Sequence, residues 1–128
     1  KLHQDISQDF NDQELHQGRI VHAIIPVVTK TGVLQKLVLS LGATSFVSDH
    51  HQSVIEESLR NTNLQVAARS QGGVIEALES SNGRILLLQF HPEIDNNLLF
   101  IFNFFRSIKK WSFESKKPSL VRECTQLF

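Results

Sequence analysis

The most informative stretch of the sequence is Ile85-Leu86-Leu87-Leu88-Gln89-Phe90-His91-Pro92-Glu93, an apolar run that ends in a His-Pro-Glu turn. A near-continuous apolar run of this length is typical of a strand that is buried on both faces. In open α/β sheets, functional side chains gather just beyond the carboxyl ends of the strands. We therefore predict a buried strand over residues 85–90, with a functional site where it ends.

His91 and Glu93 have the chemistry that such a site needs. Pro92 favours an extended backbone at His91, so the two side chains are expected to project to the same side. A carboxylate in that place holds one imidazole nitrogen, fixes the tautomer of the ring and raises its basicity. The other nitrogen can then take a proton from a nucleophile, as in a catalytic triad. The alternative is structural: a histidine that caps a loop beside a surface glutamate.

The rest of the chain alternates between strand and helix patterns, which predicts an α/β fold. Residues 1–18 are polar and are expected to form a loop with one helical turn. Pro26 places the first strand at a sheet edge or at the end of pairing, because proline has no N–H to donate. The predicted elements are strands at 20–28, 44–48, 64–70 and 74–79, a helix over 33–41 that ends at Gly42, and a helix over about 96–109 that Asp95 caps.

Composition excludes some classes of function. The net charge is zero, so bulk electrostatics favour neither a nucleic-acid nor a membrane partner. The sequence contains no apolar run of the roughly 18 residues that a transmembrane helix needs. One cysteine, Cys124, rules out an internal disulfide and suits a reducing cytoplasm. We expect a domain over residues 1–110 and a tail over 111–128.

A second polar cluster, Ser48-Asp49-His50-His51-Gln52-Ser53, also follows a predicted strand. It offers hydrogen-bonding side chains and backbone amides around a pocket. A metal site is not expected here, because neighbouring histidines cannot easily turn to one ion and no further ligand lies at a familiar spacing. We also expect no organic cofactor.

Taken in order, these motifs resemble a known family. They are Ser48-Asp49-His50-His51-Gln52, Leu64-Gln65-Val66-Ala67-Ala68-Arg69-Ser70, Gly73-Val74-Ile75-Glu76-Ala77 and Leu88-Gln89-Phe90-His91-Pro92-Glu93. The sequence is similar to the class I glutamine amidotransferase-like family and, more narrowly, to its gamma-glutamyl-GABA hydrolase branch, the peptidase C26-like group. The resemblance spans about residues 1–108.

The resemblance implies a fold, a reaction and a set of site residues. The fold is a flavodoxin-like α/β sandwich, of which this sequence matches the C-terminal half. The reaction is hydrolysis of a gamma-glutamyl amide by a Cys-His-Glu triad, with His91 as the base and Glu93 as its orienting partner. His51, Gln52 and Ser53 would lie along the glutamyl head of the substrate. Two positions depart from the branch, which usually has asparagine at Val47 and glycine at Leu87.

The family's nucleophile is a cysteine on a strand-to-helix elbow, which the resemblance places before Lys1. Cys124 lies in a tail with no such elbow, so we expect it to be an incidental thiol and the chain to be inactive alone. The rival hypotheses are a pseudoenzyme or interaction module and, last, a metal- or ligand-binding α/β module. Since half of the sandwich would lack its cover, we expect a homo-oligomer or a complementary N-terminal segment.

Overall fold

The computed structural model describes residues 1–10, 16–41, 45–94, 101–103 and 105–106, which form a mixed α/β arrangement with small antiparallel sheets. The helical elements are α1 (Ile6–Asp9), α2 (Val33–Leu41) and a 3-10 helix (Glu56–Leu59). The strands are β1 (Leu2–His3), β2 (Ile20–Ala23), β3 (Ile25–Pro26), β4 (Ser45–Ser48), β5 (Ser53–Val54), β6 (Leu64–Arg69), β7 (Ile75–Ser80) and β8 (Leu86–Leu88). Within the described residues, none of the helices has the length and apolar character needed to cross a lipid bilayer.

The main sheet has the strand order β3-β6-β7-β8 and is antiparallel throughout. Its centre is the β6–β7 hairpin, whose turn contains Gly73 at φ 90°, a left-handed conformation that glycine adopts without strain. Every residue of β7 is buried. Helix α2 covers one side of the sheet and contributes Leu34, Leu37 and Val38 to the core.

Two smaller sheets extend this arrangement. β1 pairs with β5, and β2 pairs with β4 over its full length. An isolated bridge between Val47 and His91 connects β4 to the segment that follows β8. The rings of Phe46 and Phe90, one residue before each partner of the bridge, pack with their centroids 4.6 Å apart. Both rings are buried, so they anchor the residues next to the bridge in the core.

Several sequence predictions are confirmed. The amphipathic helix is found over the predicted span, although Gly42 lies outside the described residues. The hairpin is present, and Pro26 lies in the edge strand β3 opposite Ala68. The polar N-terminal stretch contains the single expected helical turn, α1, together with the short strand β1, which was not predicted.

The prediction that residues 85–90 form a strand buried on both faces is wrong. The strand is limited to β8, which among the described residues pairs only with β7 and therefore lies at an edge of the sheet. Ile85 is 44% exposed and Leu87 is 47% exposed. Only alternate side chains of such a strand face the core. A run of leucines has the same pattern in a central strand as in an edge strand, so the sequence does not distinguish the two.

Other predictions fall mainly outside the described residues. Of the predicted helix over 96–109, the structure describes residues 101–103 and 105–106, and these are helical. The Asp95 cap, the boundary at residue 110 and Cys124 lie outside the described part of the chain.

Candidate functional site

Backbone pairing places His91 at the end of β8. The N–H of Gln89 donates to the carbonyl of Glu76 at 2.8 Å, and the N–H of His91 donates to the carbonyl of Val47 at 2.8 Å. The chain then turns, with the N–H of Ile94 donating to the carbonyl of His91 at 3.3 Å. His91 is therefore held between β7 and β4, with its ring at the surface.

The side chains of His91 and Glu93 meet as the sequence predicted. Nδ1 of His91 lies 2.8 Å from Oε1 of Glu93. This hydrogen bond holds the pKa of Glu93 below its ordinary value, so the group is a carboxylate at neutral pH and Nδ1–H is the donor. Nε2 has no hydrogen-bond partner among the described residues, and the ring is 36% exposed. In the neutral ring, Nε2 therefore presents its lone pair to solvent, as a general base requires.

The predicted substrate-binding turn has a mixed arrangement. His51 is exposed, and its carbonyl accepts from the N–H of Ile6 at 3.0 Å. Gln52 is partly buried and donates through Nε2 to the side chain of Gln4 at 2.9 Å. Ser53 is buried, and its hydroxyl donates to the carbonyl of Ile75 at 2.8 Å. The Ser53 hydroxyl is thus committed to the fold, which leaves His51 and Gln52 as the accessible side chains of the turn.

A groove of about 620 Å³ lies between residues 27–30 and residues 56–69. None of the residues predicted to form the site lines it. The groove is open, and its described lining residues include no imidazole to pair with a carboxylate, so His91 and Glu93 are the better candidates for acid–base chemistry.

Sequence reasoning missed a buried group of polar side chains, which we name the Glu76 cluster: His16, His22, His50 and Glu76. Nε2 of His16 and Nε2 of His22 lie 2.9 and 3.4 Å from Oε1 of Glu76, and Nε2 of His50 lies 3.4 Å from Oε2. No side chain of the cluster is more than 7% exposed. The ring centroid of His16 lies 4.5 Å from that of His22 and 5.0 Å from that of His50.

Different elements bring the cluster together. Glu76 lies on the central strand β7, and His22 lies on β2 opposite Phe46. His50 follows β4, and its N–H donates to the carbonyl of His16 at 2.7 Å. Asp49 fixes the same loop by accepting from the N–H of Gly18 at 3.0 Å.

Glu76 carries the negative charge of the cluster. Burial by itself would raise the pKa of Glu76. This effect is outweighed by the contacts from His16 and His50 and by the positive charge that His50 and His22 carry when protonated, so the pKa is lowered overall. Glu76 is thus a buried carboxylate, which requires positive charge close by.

The only sequence signal for this cluster was the Ile75-Glu76-Ala77 motif in the family resemblance, together with the first histidine of the His50-His51 pair. The four residues are 6, 28 and 26 positions apart along the chain, spacings that match no local metal or catalytic motif. The structure also separates the two adjacent histidines, because His50 turns into the cluster while His51 is exposed.

Comparison with known protein families identifies the family of the chain. The sequence profile described as peptidase C26 matches residues 1–93, from β1 to Glu93 of the His-Pro-Glu turn. Comparison with curated proteins gave no match. Because the profile covers 93 of the 128 residues, the chain belongs to the peptidase C26 family.

Proposed function

We propose that this chain supplies the His-Glu part of a Cys-His-Glu site that hydrolyses gamma-glutamyl amides, as in the gamma-glutamyl-GABA hydrolase branch and the flavodoxin-like amidotransferases. The observation that carries the proposal is the 2.8 Å contact between Nδ1 of His91 and Oε1 of Glu93, with Nε2 of His91 accessible. Membership of the peptidase C26 family supports a hydrolase or amidotransferase-like reaction.

The proposed mechanism uses the two nitrogens of His91 for different tasks. Glu93 accepts from Nδ1–H and keeps the Nε2 lone pair outward, so that Nε2 takes the proton of a thiol. The thiolate attacks the amide carbonyl carbon, and the imidazolium then protonates the departing amine, which leaves a thioester. Nε2 next takes a proton from water, the hydroxide attacks the thioester, and the returned proton restores the thiol as the gamma-carboxylate leaves.

The turn at residues 51–53 supports a role in substrate positioning. We propose that His51 and Gln52 lie along the glutamyl head, because both have accessible surface. Ser53 contributes by holding the turn against Ile75 through its buried hydroxyl.

We propose further that the nucleophilic thiol is not Cys124 and that this chain is inactive by itself. The elbow cysteine and oxyanion loop would come from a complementary segment. A thiol nucleophile works in a reducing compartment, which fits a cytoplasmic protein.

The test uses gamma-glutamyl-p-nitroanilide as the probe substrate. The 128-residue chain alone should release no p-nitroaniline above the buffer rate. A polypeptide that joins these residues to a cysteine-bearing strand-to-helix elbow should release it, and His91→Asn should lower kcat by about 10²–10⁴-fold. His3→Asn is the matched control for the loss of an imidazole–carboxylate pair, since Nδ1 of His3 lies 2.8 Å from Asp9 and His3 is not part of the His91–Glu93 pair.

Two results would contradict the proposal. If the chain alone turned over and Cys124→Ser abolished the turnover, the tail thiol would be the nucleophile. If His91→Asn and His3→Asn had equal effects in the joined polypeptide, His91 would not be the base.

The second candidate function is a pseudoenzyme or interaction module that oligomerises. The exposure of Leu87 on the edge strand β8 and of Ile85 just before it favours it. The intact mass of the natural protein distinguishes the candidates: a larger mass with an upstream cysteine elbow supports the hydrolase, and a natural start close to Lys1 supports the interaction module.

A further inference from the structure

Hydrogen bonds between histidines and a carboxylate do not by themselves explain the geometry of the Glu76 cluster. Nδ1 of His22 lies 3.2 Å from the carbonyl of Ala23, and Nδ1 of His50 lies 3.0 Å from the carbonyl of Gln52. A carbonyl oxygen only accepts hydrogen bonds, so each Nδ1 must carry the proton. In the neutral tautomer, Nε2 of both rings is then an unprotonated lone pair.

These lone pairs face the carboxylate of Glu76. Each of the two nitrogens lies 3.4 Å from a carboxylate oxygen, and neither pair has the geometry of a hydrogen bond. A lone pair opposite a carboxylate oxygen is repulsive in a site that excludes water. Protonation of both rings would relieve this repulsion, but it would bury two cations beside one anion, at a high cost in desolvation.

A metal cation among these atoms would replace repulsion with coordination. Ligand atoms that are roughly 2.0–2.1 Å from one tetrahedral Zn²⁺ lie about 3.3 Å apart, close to the 3.4 Å observed for both nitrogen–oxygen pairs. The ligand atoms of His16, His22 and Glu76 all lie within 4.8 Å of one another. Histidines that bind metals commonly donate their other N–H to a backbone carbonyl, as His22 and His50 do here.

We propose that the Glu76 cluster is a structural binding site for one divalent transition-metal ion of the zinc class, with Nε2 of His16, Nε2 of His22 and the carboxylate of Glu76 as ligands and His50, which contacts the other carboxylate oxygen, as the fourth group. Imidazole nitrogen and carboxylate oxygen together suit Zn²⁺ better than Mg²⁺ or Ca²⁺. The site is closed, which is typical of structural rather than catalytic zinc. The ion would join β2, β7 and the loops that carry His16 and His50. This site is separate from the His91–Glu93 pair and does not depend on the proposed hydrolase activity.

The first experiment measures Zn²⁺ binding to the chelator-treated chain by competition with a chromophoric chelator. We expect one Zn²⁺ per chain and a higher Tm when Zn²⁺ is present, because an ion that binds only the folded state stabilises it. Mg²⁺ at the same concentration should not change the Tm. If Zn²⁺ did not bind stoichiometrically or left the Tm unchanged, the proposal would be wrong.

Variants locate the ion. His22→Asn, His50→Asn and Glu76→Gln should each weaken Zn²⁺ binding by at least about 100-fold, since loss of a ligand exceeds the roughly 10–100-fold effect of outer-shell changes. The matched controls are His3→Asn and His51→Asn, which replace exposed or half-exposed histidines outside the cluster. Equal affinity in the control and cluster variants would overturn the assignment.

A measurement on the unsubstituted chain decides the matter even where a cluster variant fails to fold. Zn²⁺ should shift the imidazole ¹⁵N resonances of His16, His22 and His50 and leave those of His3, His51 and His91 in place. If the cluster rings were doubly protonated at neutral pH and did not respond to Zn²⁺, the cluster would be an ionised network without a metal.

Discussion

At the scale of single residues, the two histidine-carboxylate groups differ in their access to water. The Glu76 cluster is closed to solvent, whereas Glu93 is 60% exposed beside a partly exposed His91. Water strongly screens the exposed His91–Glu93 pair, so the contribution of this pair to stability is small. Its importance lies in the direction that it gives to the His91 ring.

The first prediction concerns the titration of Glu93. Its folded-state pKa is lowered by the hydrogen bond from His91, so the pair stabilises the fold above the unfolded pKa of Glu93, and this contribution is lost as the pH falls through the folded pKa. We expect the total effect to be well below about 1 kcal/mol because the pair is exposed.

Carbon-13 NMR of the Glu93 carboxyl group measures this pKa directly. His91→Asn should raise the midpoint toward the ordinary value for glutamate, and His3→Asn should leave it unchanged. A midpoint for Glu93 that does not respond to His91→Asn would show that the hydrogen bond is not formed in solution.

At the scale of elements, α2 depends on a carboxylate from the neighbouring sheet. Glu79 on β7 is fully buried and accepts from the N–H of Leu34, in the first turn of the helix, at 3.0 Å. Its other oxygen accepts from the hydroxyls of Thr29 and Thr31. A negative charge at this end of a helix also interacts favourably with the helix dipole.

The second prediction is that Glu79→Ala lowers the free energy of unfolding by about 2–4 kcal/mol, because it leaves buried donors without an acceptor at the start of α2. Glu79→Gln should cost less, since one carbonyl oxygen remains. Urea unfolding followed by circular dichroism gives both values.

The control for this prediction is Glu57→Ala, on the exposed face of the 3-10 helix, which should change stability by no more than about 0.5 kcal/mol. Equal losses for Glu79→Ala and Glu57→Ala would mean that the buried carboxylate does not support the helix.

At the same scale, Phe46 and Phe90 link the core to the end of β8. Phe46 is completely buried and packs on Phe90, which precedes His91. The third prediction is that Phe46→Ala lowers the free energy of unfolding by about 3–5 kcal/mol, the usual range for a truncated core aromatic. Phe102→Ala, at an exposed position, should have a much smaller effect in the same urea titration. Similar losses in the two variants would show that Phe46 is not a core residue.

At the scale of the whole molecule, apolar surface on β8 suggests association. Leu87 on β8 and Ile85 just before it are both more than two-fifths exposed, and the outer edge of β8 has no partner among the described residues. Such an edge favours pairing with another strand. This fits the proposal of a homo-oligomer or a complementary segment.

The fourth prediction is therefore that the chain associates in a concentration-dependent manner and that Leu87→Lys weakens the association at least tenfold. A charge on an edge strand disfavours pairing with another strand. Multi-angle light scattering over a range of concentrations measures the change. Leu39→Lys, which adds the same charge at an exposed leucine of α2, should have little effect. A monomer at every concentration, with no other chain bound, would contradict the prediction.

Sequence patterns predicted the elements that depend on local periodicity. The apolar spacing of α2, the glycine turn of the β6–β7 hairpin and the edge position of Pro26 all follow from rules that act over a few residues. The contact between His91 and Glu93 could also be predicted locally, from an extended backbone and a spacing of two residues.

The features that were missed depend on long-range packing. The leucine run of β8 has the same composition as a central strand, and only its pairing shows that it lies at an edge. The Glu76 cluster requires β2, β4 and β7 to be folded before its histidines meet. No local pattern contains that information.

The complete burial of β7 affects what sets the alignment of the β6–β7 hairpin. Because every residue of β7 is buried, a contrast between an apolar face and a polar face cannot fix its alignment with β6. Its two acids, three positions apart, point to opposite sides, Glu76 towards the histidines and Glu79 towards the helix. A shift of β7 by one residue would turn both carboxylates to the opposite faces, away from their polar partners. The two acids thus disfavour a hairpin that is shifted by one residue.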